Sequence, residues 1–526
     1  MRLTAVAARM GVAVAVLAAG GLQALALAGP GSGEPLWWLQ ALSLTVLAGL
    51  LLRSGSGLGA WMRGWGFATA WLAGTFWWLF ISMHTYGGLA APLAVLAVLG
   101  LALFLGSYYA LVSWLFWRYV QSSRAFNALL FGALWLLAEL ARGVLWTGFP
   151  WGAGGYAHVD GPLAPLARWV GVYGIGFVVA CLAMLLAQLR ASDGRRPRAW
   201  LALGGLVLVL AAAAYDRHCA VTDCRAGAPD QAGAAPLSVA LLQGNIPQDE
   251  KFQPGSGVPQ ALAWYGEALR EAQAQLVVAP ETAIPLLPRQ LPRDYLASLQ
   301  APYLGPGATQ AALLGIPLGD ERVGYTNSVV GWSPEQLEPY RYDKHHLVPF
   351  GEFIPPLFRW FTEMMNIPLG DFARGRVGQP SMAWAGQRIA PNICYEDLFG
   401  EELGARFADP QQAPTIFVNL SNIGWFGDSV AIDQHLAISR MRALEFERPM
   451  VRATNTGATA VIDHRGEVTH RLPSMTRGVL LAEVQGRTGL TPFARWVAWG
   501  GLAPLWVLGG LVLAVAWLRG GRARNG

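Results

Sequence analysis

The sequence predicts an α-helical membrane bundle joined to a separate, water-exposed α/β domain. Of the 526 residues, 54% are hydrophobic and only 13% are charged, whereas about a quarter of an average soluble domain is charged. The first 215 residues are almost free of Asp, Glu and Lys, while residues 236–485 have the mixture of an ordinary globular domain. The long apolar runs all lie outside residues 236–485. Two parts in different solvents are therefore expected.

Eight apolar runs of about 20 residues are long enough to cross a bilayer. They cover residues 10–29, 35–52, 66–83, 88–117, 125–147, 169–189, 199–215 and 496–518. If every run spans the membrane, the Arg clusters near their ends all lie on one side, which the positive-inside rule makes cytoplasmic. The domain after the seventh run then lies outside the cytoplasm, which in a bacterium is the periplasm. The first run also fits a cleavable signal peptide.

The boundaries follow from this topology. We expect residues 1–218 to hold the first seven helices and 219–235 to form a linker. Residues 236–485 would form the periplasmic domain, and 486–526 the last helix with a cytoplasmic tail. Cys219 and Cys224 are close enough in sequence to pair in an oxidising compartment, but two free thiols fit equally well. No basic stripe suggests nucleic-acid binding, and no cysteine spacing suggests a metal cluster.

Two charged residues interrupt the fifth predicted span. Glu139 and Arg142 lie three residues apart on one face of a helix, where a charge in lipid is costly and is usually directed at a cavity or a partner. An internal ion pair and a role in binding a lipid headgroup both remain open.

Short β-rich runs and amphipathic stretches alternate within residues 236–485. Strands are expected at 237–243, 276–279, 311–316 and 415–420, and helices at 260–275 and 434–446. This alternation is typical of a layered α/β domain. About 250 residues are enough to bury a complete core.

Three motifs in this domain place reactive residues at strand ends. The apolar strand Val277-Val278-Ala279 stops at Pro280 and delivers Glu281 at its carboxyl edge, where α/β folds commonly place their chemistry. Taken alone, Glu281 is also compatible with a solvated loop acid or a helix cap. Its interpretation depends on the other two motifs.

The second motif, residues 342–353, contains Lys344. Of the 38 basic residues only Lys251 and Lys344 are Lys, so a Lys retained in an Arg-rich chain is expected to be needed as Lys. A compact ammonium can direct its three donors at one developing oxyanion, which a guanidinium does not replace. Lys251 fits the alternative of an ordinary surface Lys. The adjacent His345 and His346 lack a third ligand at useful spacing and are assigned a structural or supporting role.

The third motif, residues 389–397, is a short apolar strand that ends in a polar turn, with Cys394 at the strand end. A single Cys is more often a small buried hydrophobic residue than a nucleophile. A Glu, a Lys and a Cys at three strand ends are much less expected by chance. A thiolate beside a base and a cation attacks carbonyl carbon to form a thioester, which a second nucleophile can capture.

These three motifs resemble the nitrilase or carbon-nitrogen hydrolase superfamily, whose αββα sandwich has a Glu-Lys-Cys triad, over about residues 236–485. With eight membrane helices around that domain, nearly the whole chain resembles the apolipoprotein N-acyltransferase family of the bacterial inner membrane. Residues 147–151, 243–248, 349–352, 424–429, 441–445 and 448–449 also resemble the family's motifs. Two positions depart from it, because Phe252 stands where the family often has Trp, and Ile423 stands where a polar residue is expected.

The resemblance implies a two-step reaction without a metal or soluble cofactor, in a monomer. Cys394 takes an acyl chain from the sn-1 position of a phospholipid, typically phosphatidylethanolamine. The chain then passes to the α-amine of a diacylglyceryl-cysteine at an apolipoprotein N-terminus. Glu281 would be the general base and Lys344 the oxyanion stabiliser. Supporting residues would be Glu352, Tyr395 and Glu396, and candidates for contacting substrate or forming a lid are Phe353, Phe358, Trp360, Trp425 and Phe426.

Two rival interpretations use the same residues. A membrane-tethered amidase of the nitrilase type would hydrolyse a small amide with the same triad, but eight helices are far more than a tether requires. A transporter or scaffold with an inactive domain would explain Glu139 and Arg142, but it leaves the intact triad without a purpose.

Overall fold

The computed structural model describes residues 2–189, 234–336, 338–355 and 371–520. The chain divides into two compact units. The first consists of Met1–Trp77, Pro92–Arg225 and Leu502–Gly526, and the second of Trp78–Ala91 and Ala226–Gly501. The predicted seventh run at 199–215, together with Cys219 and Cys224, lies outside the described residues.

The first unit is helical. In the part of this unit that the structure describes, the helices are α1 (Arg2–Leu25), α2 (Trp37–Leu52), α3 (Gly57–Phe76), α4 (Ala91–Tyr119), α5 (Arg124–Val144), α6 (Ala167–Ala187) and the C-terminal helix Ala503–Leu518. Among the described residues, Ala91–Tyr119, Arg124–Thr147 and Ala164–Ala187 are long and apolar enough to cross a membrane. A fourth span is added if Pro492–Gly500 and Ala503–Leu518 count as one.

The third predicted run differs from the structure. It was expected to continue to residue 83, but α3 ends at Phe76, and Trp78–Ala91 belongs to the second unit. Residues Ile81–Tyr86 of that segment form a π-helix. A π-helix within an apolar run is uncommon and is often associated with functional sites.

Glu139 and Arg142 on α5 are fully buried in the first unit. The Glu139 carboxylate accepts a hydrogen bond from the Gly154 main-chain N–H at 2.7 Å. The Arg142 guanidinium donates to the main-chain oxygens of Phe149 and Trp151, each at 2.7 Å. These contacts hold the segment that follows α5 in one conformation. They favour a structural role for Glu139 and Arg142 over the binding of a lipid headgroup.

Within its described residues, the second unit contains two six-stranded sheets. The strands are β1 (Leu237–Gln243), β2 (Leu276–Ala279), β3 (Ala311–Asp320), β4 (Gly324–Trp332), β5 (Tyr340–Asp343), β6 (Met382–Trp384), β7 (Gln387–Ile393), β8 (Ile416–Ser421), β9 (Met450–Thr454), β10 (Ala460–Ile462), β11 (Val468–Arg471) and β12 (Gly478–Val484). The strand orders are β12-β1-β2-β3-β4-β5 and β11-β10-β9-β8-β7-β6. Strands β1, β2 and β3 are parallel to one another, as are β7, β8 and β9.

The two sheets pack face to face. Val278 and Leu313 of the first sheet share one buried core with Ile389 and Val418 of the second. Because side chains alternate along a strand, the neighbouring Val277 points the other way, into a second core with helices α7 (Gly257–Glu271) and α8 (Tyr295–Leu304). Each buried Val or Leu stabilises the fold by roughly 1.5–3 kcal/mol.

The remaining helices of this unit lie in its C-terminal half. They are α9 (Gly400–Gly404), α10 (Ala431–Phe446) and α11 (Pro492–Gly500), and α10 packs against β9. With α7 and α8 beside the first sheet, these layers form the expected αββα sandwich. The predicted strands at 237–243 and 276–279 are confirmed with the same bounds.

Candidate active site

Glu281 lies on a tight turn after β2. Its neighbour Thr282 has a left-handed φ of 45°, which is unusual for a residue other than glycine. Gly315 on β3 allows the turn to pack closely, since a Cβ there would lie 2.2 Å from the Pro280 oxygen. The turn therefore buries Glu281, which is 8% exposed.

Three groups bind the Glu281 carboxylate. Lys344 Nζ lies 3.2 Å from Oε1, and the Asn327 amide donates to the same oxygen at 2.7 Å. The Asn422 main-chain N–H donates to Oε2 at 2.8 Å. Burial alone raises the pKa of Glu281, but Lys344 and Asn327 outweigh it, so the pKa lies below its usual value. The carboxylate is therefore ionised and oriented.

Glu352 is the second acid on Lys344. The Lys344 ammonium lies 2.9 Å from Glu352 Oε2 and 3.0 Å from Oε1. Asn327 donates to Glu352 Oε1 at 2.6 Å, and the Val348 main-chain N–H donates to Oε2 at 2.8 Å. Burial lowers the pKa of Lys344, but the two carboxylates overcome that effect and raise it above its usual value. Lys344 is thus a permanent cation between two acids.

Cys394 follows β7 and begins a short 3-10 helix, Cys394–Leu398. Its φ of 52° is left-handed, a strained backbone that such a side chain adopts only where its surroundings enforce it. Its main-chain oxygen accepts hydrogen bonds from Asn419 at 3.1 Å and from His435 at 3.2 Å. These bonds fix the turn that presents the thiol.

The Cys394 thiol is protonated at rest. Burial and the negative charge of Glu281 raise its pKa to about 12, against the opposing effect of Lys344. A nucleophilic thiolate then requires a base that removes the proton during the reaction. Glu281, ionised and close enough for its charge to affect the thiol, meets that requirement.

Glu396 and Tyr395 were expected to support the nucleophile. Both carboxylate oxygens of Glu396 accept hydrogen bonds. Glu396 Oε2 accepts hydrogen bonds from the Ile393 N–H at 2.7 Å and the Tyr342 hydroxyl at 2.8 Å. Its Oε1 accepts from the His345 N–H at 2.6 Å. This side chain therefore ties the Cys394 turn to the Lys344 loop. The buried Tyr395 ring packs against Phe399, with centroids 5.3 Å apart.

The interpretation of Lys251 as a surface residue is wrong. Lys251 is 1% exposed, and its ammonium donates to the main-chain oxygen of Glu281 at 3.1 Å. Burial lowers its pKa to about 7, although the charges of Glu281 and Cys394 oppose that shift. The error arose because a single charged residue in a polar loop gives no sign of burial, which depends on contacts distant in sequence.

A polar network behind Cys394 was not identified from the sequence. Asp397 Oδ1 lies 3.0 Å from His435 Nε2, and Asp397 Oδ2 lies 3.2 Å from the Arg452 guanidinium. Arg452 also lies 3.1 Å from His435 Nδ1. The available signal was the presence of Arg452 inside a mostly apolar strand. Asn327 lies between Thr326 and Ser328 in β4 and gives no such signal. A buried polar group needs a partner.

The candidates for substrate contact lie apart in sequence, and the structure describes some of them. Phe353 is half-buried, with the Arg374 guanidinium 4.8 Å from its ring centre. Trp425 and Phe426 are half-buried on the 3-10 helix Ile423–Phe426. Phe426 lies 4.2 Å from the Trp78 ring. Phe358 and Trp360 lie outside the described residues.

Two family models match the chain. Residues 19–185 match the apolipoprotein N-acyltransferase N-terminal domain, and residues 238–493 match the carbon-nitrogen hydrolase family. The second match contains Glu281, Lys344, Glu352 and Cys394.

Relatives match along nearly their whole length. An apolipoprotein N-acyltransferase of Verminephrobacter eiseniae is 65% identical over 92% of this chain and 92% of its own. One from Ralstonia nicotianae is 49% identical over 93% of this chain and 90% of its own. One from Bordetella bronchiseptica is 42% identical, with 97% of each chain covered. Among solved structures, an amidase from Nesterenkonia sp. is 16% identical, with a TM-score of 0.36, over 50% of this chain and 93% of the amidase.

Proposed function

The chain belongs to the apolipoprotein N-acyltransferase family, and on that premise we propose the full reaction. The enzyme takes a fatty acyl chain from the sn-1 position of a phospholipid, typically phosphatidylethanolamine. It holds the chain as a thioester on Cys394 and passes it to the α-amino group of the N-terminal diacylglyceryl-cysteine of an apolipoprotein. This is an acyltransferase reaction of lipoprotein maturation.

In the first step, Glu281 takes the proton from Cys394 Sγ while the sulfur attacks the ester carbonyl of the phospholipid. The oxyanion that forms lies near the Lys344 ammonium, whose positive charge stabilises it. The tetrahedral intermediate then breaks its C–O bond. Glu281 returns the proton to the departing lysophospholipid oxygen, and the thioester remains.

In the second step, the lipoprotein amine attacks the thioester carbonyl and Glu281 takes a proton from the nitrogen. The intermediate breaks its C–S bond, and Cys394 recovers a proton from Glu281. Glu352 and Asn327 keep Lys344 and Glu281 in place through both steps. No charge or proton is left on the enzyme at the end of the cycle.

One observation carries this assignment: an ionised carboxylate lies 3.2 Å from a permanent ammonium, and the charges of both groups act on a protonated, half-buried thiol. Each of the three groups is in the state that general-base activation of a nucleophile requires. The amidase alternative would use the same three groups with water as acceptor. The match of residues 19–185 to the acyltransferase N-terminal domain speaks against it, because a simple tether has no need of that domain.

The test is the intact mass of the purified protein after incubation with phosphatidylethanolamine, for the wild type and Cys394→Ala. We expect a fatty-acyl increment on the wild type alone, and its loss when a diacylglyceryl-cysteine peptide is added. Transfer of the increment to the peptide establishes the acyltransferase. A folded wild type without an increment would move the assignment to the amidase.

The site residues work, in this proposal, in a periplasmic domain at residues 236–485 of a monomeric, eight-span protein of the bacterial inner membrane. The Arg clusters at the ends of the apolar runs support this orientation. In the same proposal, residues 1–218 hold the first seven membrane helices, residues 219–235 form the linker, and residues 486–526 form the last helix and its tail. Reporter fusions after residues 195 and 235 test it. We expect the first to report the cytoplasm and the second the periplasm, and the same side for both would refute it.

The acyl chain would contact apolar side chains around the site. Phe353, Trp425 and Phe426 are only half-buried, which leaves part of each ring for a lipid, and stretch 353–370 is apolar in sequence. We expect Phe358→Ala combined with Trp360→Ala to impair phospholipid turnover while thermal unfolding is unchanged. An unchanged rate would reject a role for this stretch.

A further inference from the structure

Both lysines of the chain lie at one buried site. They are the only two Lys among 38 basic residues, and each is 1% exposed. Lys344 binds the Glu281 carboxylate, and Lys251 binds the Glu281 main-chain oxygen at 3.1 Å. An Arg-rich chain has thus placed its two compact cations on the same acidic residue.

The charges of the site explain why one cation is not enough. Glu281 and Glu352 share Lys344, so these three groups have one net negative charge. When Glu281 takes the thiol proton, this negative charge moves from Glu281 to the Cys394 thiolate, and acyl transfer then moves it to the oxyanion. Like charges repel strongly where water is excluded. A protonated Lys251 balances this one excess negative charge while it lies on sulfur or on the oxyanion.

We infer that Lys251 is a positioning residue of the acyl-transfer site, whose buried ammonium holds the Glu281 turn and stabilises Cys394 as a thiolate. The inference rests on the proposed function and deepens it. Lys251 exchanges no atom with substrate, since the thiol proton goes to Glu281.

The groups that face Lys251 come from two strand ends. They are Glu281 after β2 and Cys394 after β7, both of which affect its pKa. Lys344 binds the Glu281 carboxylate and Glu352. On the loop of Lys251 itself, Asp249 is exposed and Glu250 is half-buried. Burial lowers the pKa of Lys251 to about 7, and the two anions oppose that shift. Formation of the thiolate and protonation of Lys251 therefore favour each other.

The experiment compares full-length Lys251→Met, Lys251→Arg and wild type in detergent micelles. The measured quantity is the rate of iodoacetamide alkylation at Cys394, localised by peptide mass spectrometry at neutral pH, which follows the thiolate fraction. We expect the alkylation rate of Cys394 to be about tenfold lower in Lys251→Met, which corresponds to a rise of about one unit in the pKa of the thiol. Lys251→Arg, which keeps the charge, should recover most of the rate.

Arg388→Met is the matched control. Arg388 also donates to a main-chain oxygen, that of Ala413, but it lies on β7 at the end opposite to Cys394. The Arg388→Met substitution removes a cation and a hydrogen bond to a main-chain oxygen without affecting the thiol. The rate of Cys394 alkylation in this variant should therefore equal that of wild type. An unchanged rate in Lys251→Met, or an equal loss in Arg388→Met, overturns the inference.

If Lys251→Met does not fold, the wild type itself provides the test. With two lysines, the protein labelled with ¹³Cε-lysine gives two signals, which Lys251→Arg assigns. The Lys251 signal should titrate near neutral pH and move when Cys394→Ala removes the thiol, and an unmoved signal overturns the inference. Slower alkylation in Lys251→Met without phospholipid acylation of wild type would refute the proposed function and leave the role of Lys251 intact.

Discussion

Each unit of this protein buries an acid and a base, but the two pairs bind different partners. In the helical unit, Glu139 and Arg142 bind main-chain groups of residues 149–154. In the sandwich unit, Glu281 and Lys344 bind each other and lie beside a thiol. Burial of charge by itself thus does not identify chemistry. The distinguishing feature is whether the charged groups converge on a nucleophile.

The different partners of the two pairs predict different effects of substitution, on stability in one unit and on reaction rate in the other. A charged side chain bound to main-chain groups stabilises one loop conformation, and its loss leaves buried partners unsatisfied, at about 1–3 kcal/mol each. A charged side chain beside a thiol changes the free energy of a proton transfer. Substitutions in the first unit should therefore lower stability, and matched substitutions in the second should lower rate.

The largest effect is expected from Glu281→Gln, compared with Glu139→Gln. Without its base the Cys394 thiol stays protonated, and the rate of acyl-enzyme formation should fall about a thousandfold. Glu139→Gln should lower the unfolding temperature and leave the rate per folded molecule unchanged. Intact-mass kinetics and thermal unfolding measure the two quantities. A similar rate loss in both variants would break the contrast.

A second pair of substitutions exchanges Lys and Arg at the basic residue of each unit. Lys344→Arg keeps a positive charge but replaces a compact ammonium by a planar fork, so the acylation rate should fall about a hundredfold. Arg142→Lys cannot reach both the Phe149 and Trp151 oxygens and should lower the unfolding temperature without changing the rate. If Lys344→Arg retains the wild-type rate, Lys344 contributes charge alone.

Asn327→Ala should have an intermediate effect. Its amide donates to both Glu281 and Glu352, so its loss weakens the orientation of both acids and should reduce the acylation rate about tenfold. Phospholipid affinity, measured as KM, should not change. A change in KM with an unchanged kcat would assign Asn327 to substrate binding instead.

The smallest effect concerns pH. Because Lys344 and Asn327 hold the pKa of Glu281 below its usual value of about 4.3, the base stays ionised as pH falls from neutrality. The acylation rate should show no loss from Glu281 until the pH is below that value. The stability that this carboxylate contributes is likewise present above its ordinary pKa and is lost as pH falls through the lowered one. Lys344→Met should move the acid limb of the rate to higher pH, and an unmoved limb would contradict this coupling.

Local patterns were enough to predict much of this protein. Apolar runs separated the helical part from the sandwich domain, and short β-rich runs between Gly and Pro residues predicted β1 and β2 with the same bounds. The position of Glu281, Lys344 and Cys394 at strand ends predicted that they lie together, and the fold does bring them together. These features depend on a few neighbouring residues, because hydrophobic periodicity and strand termination are local properties.

Contacts between distant residues could not be predicted in this way. Lys251 is 30 residues from the oxygen it binds, and Asn422 is 141 residues from Glu281. The assignment of Trp78–Ala91 to the second unit also depends on packing across hundreds of residues, as in the Trp78 hydrogen bond to Gln434. The sequence by itself predicted which residues carry the proposed chemistry and at which strand ends they lie. Only the tertiary structure decided their protonation and their partners, because burial and opposing charges arise when the two sheets close on each other.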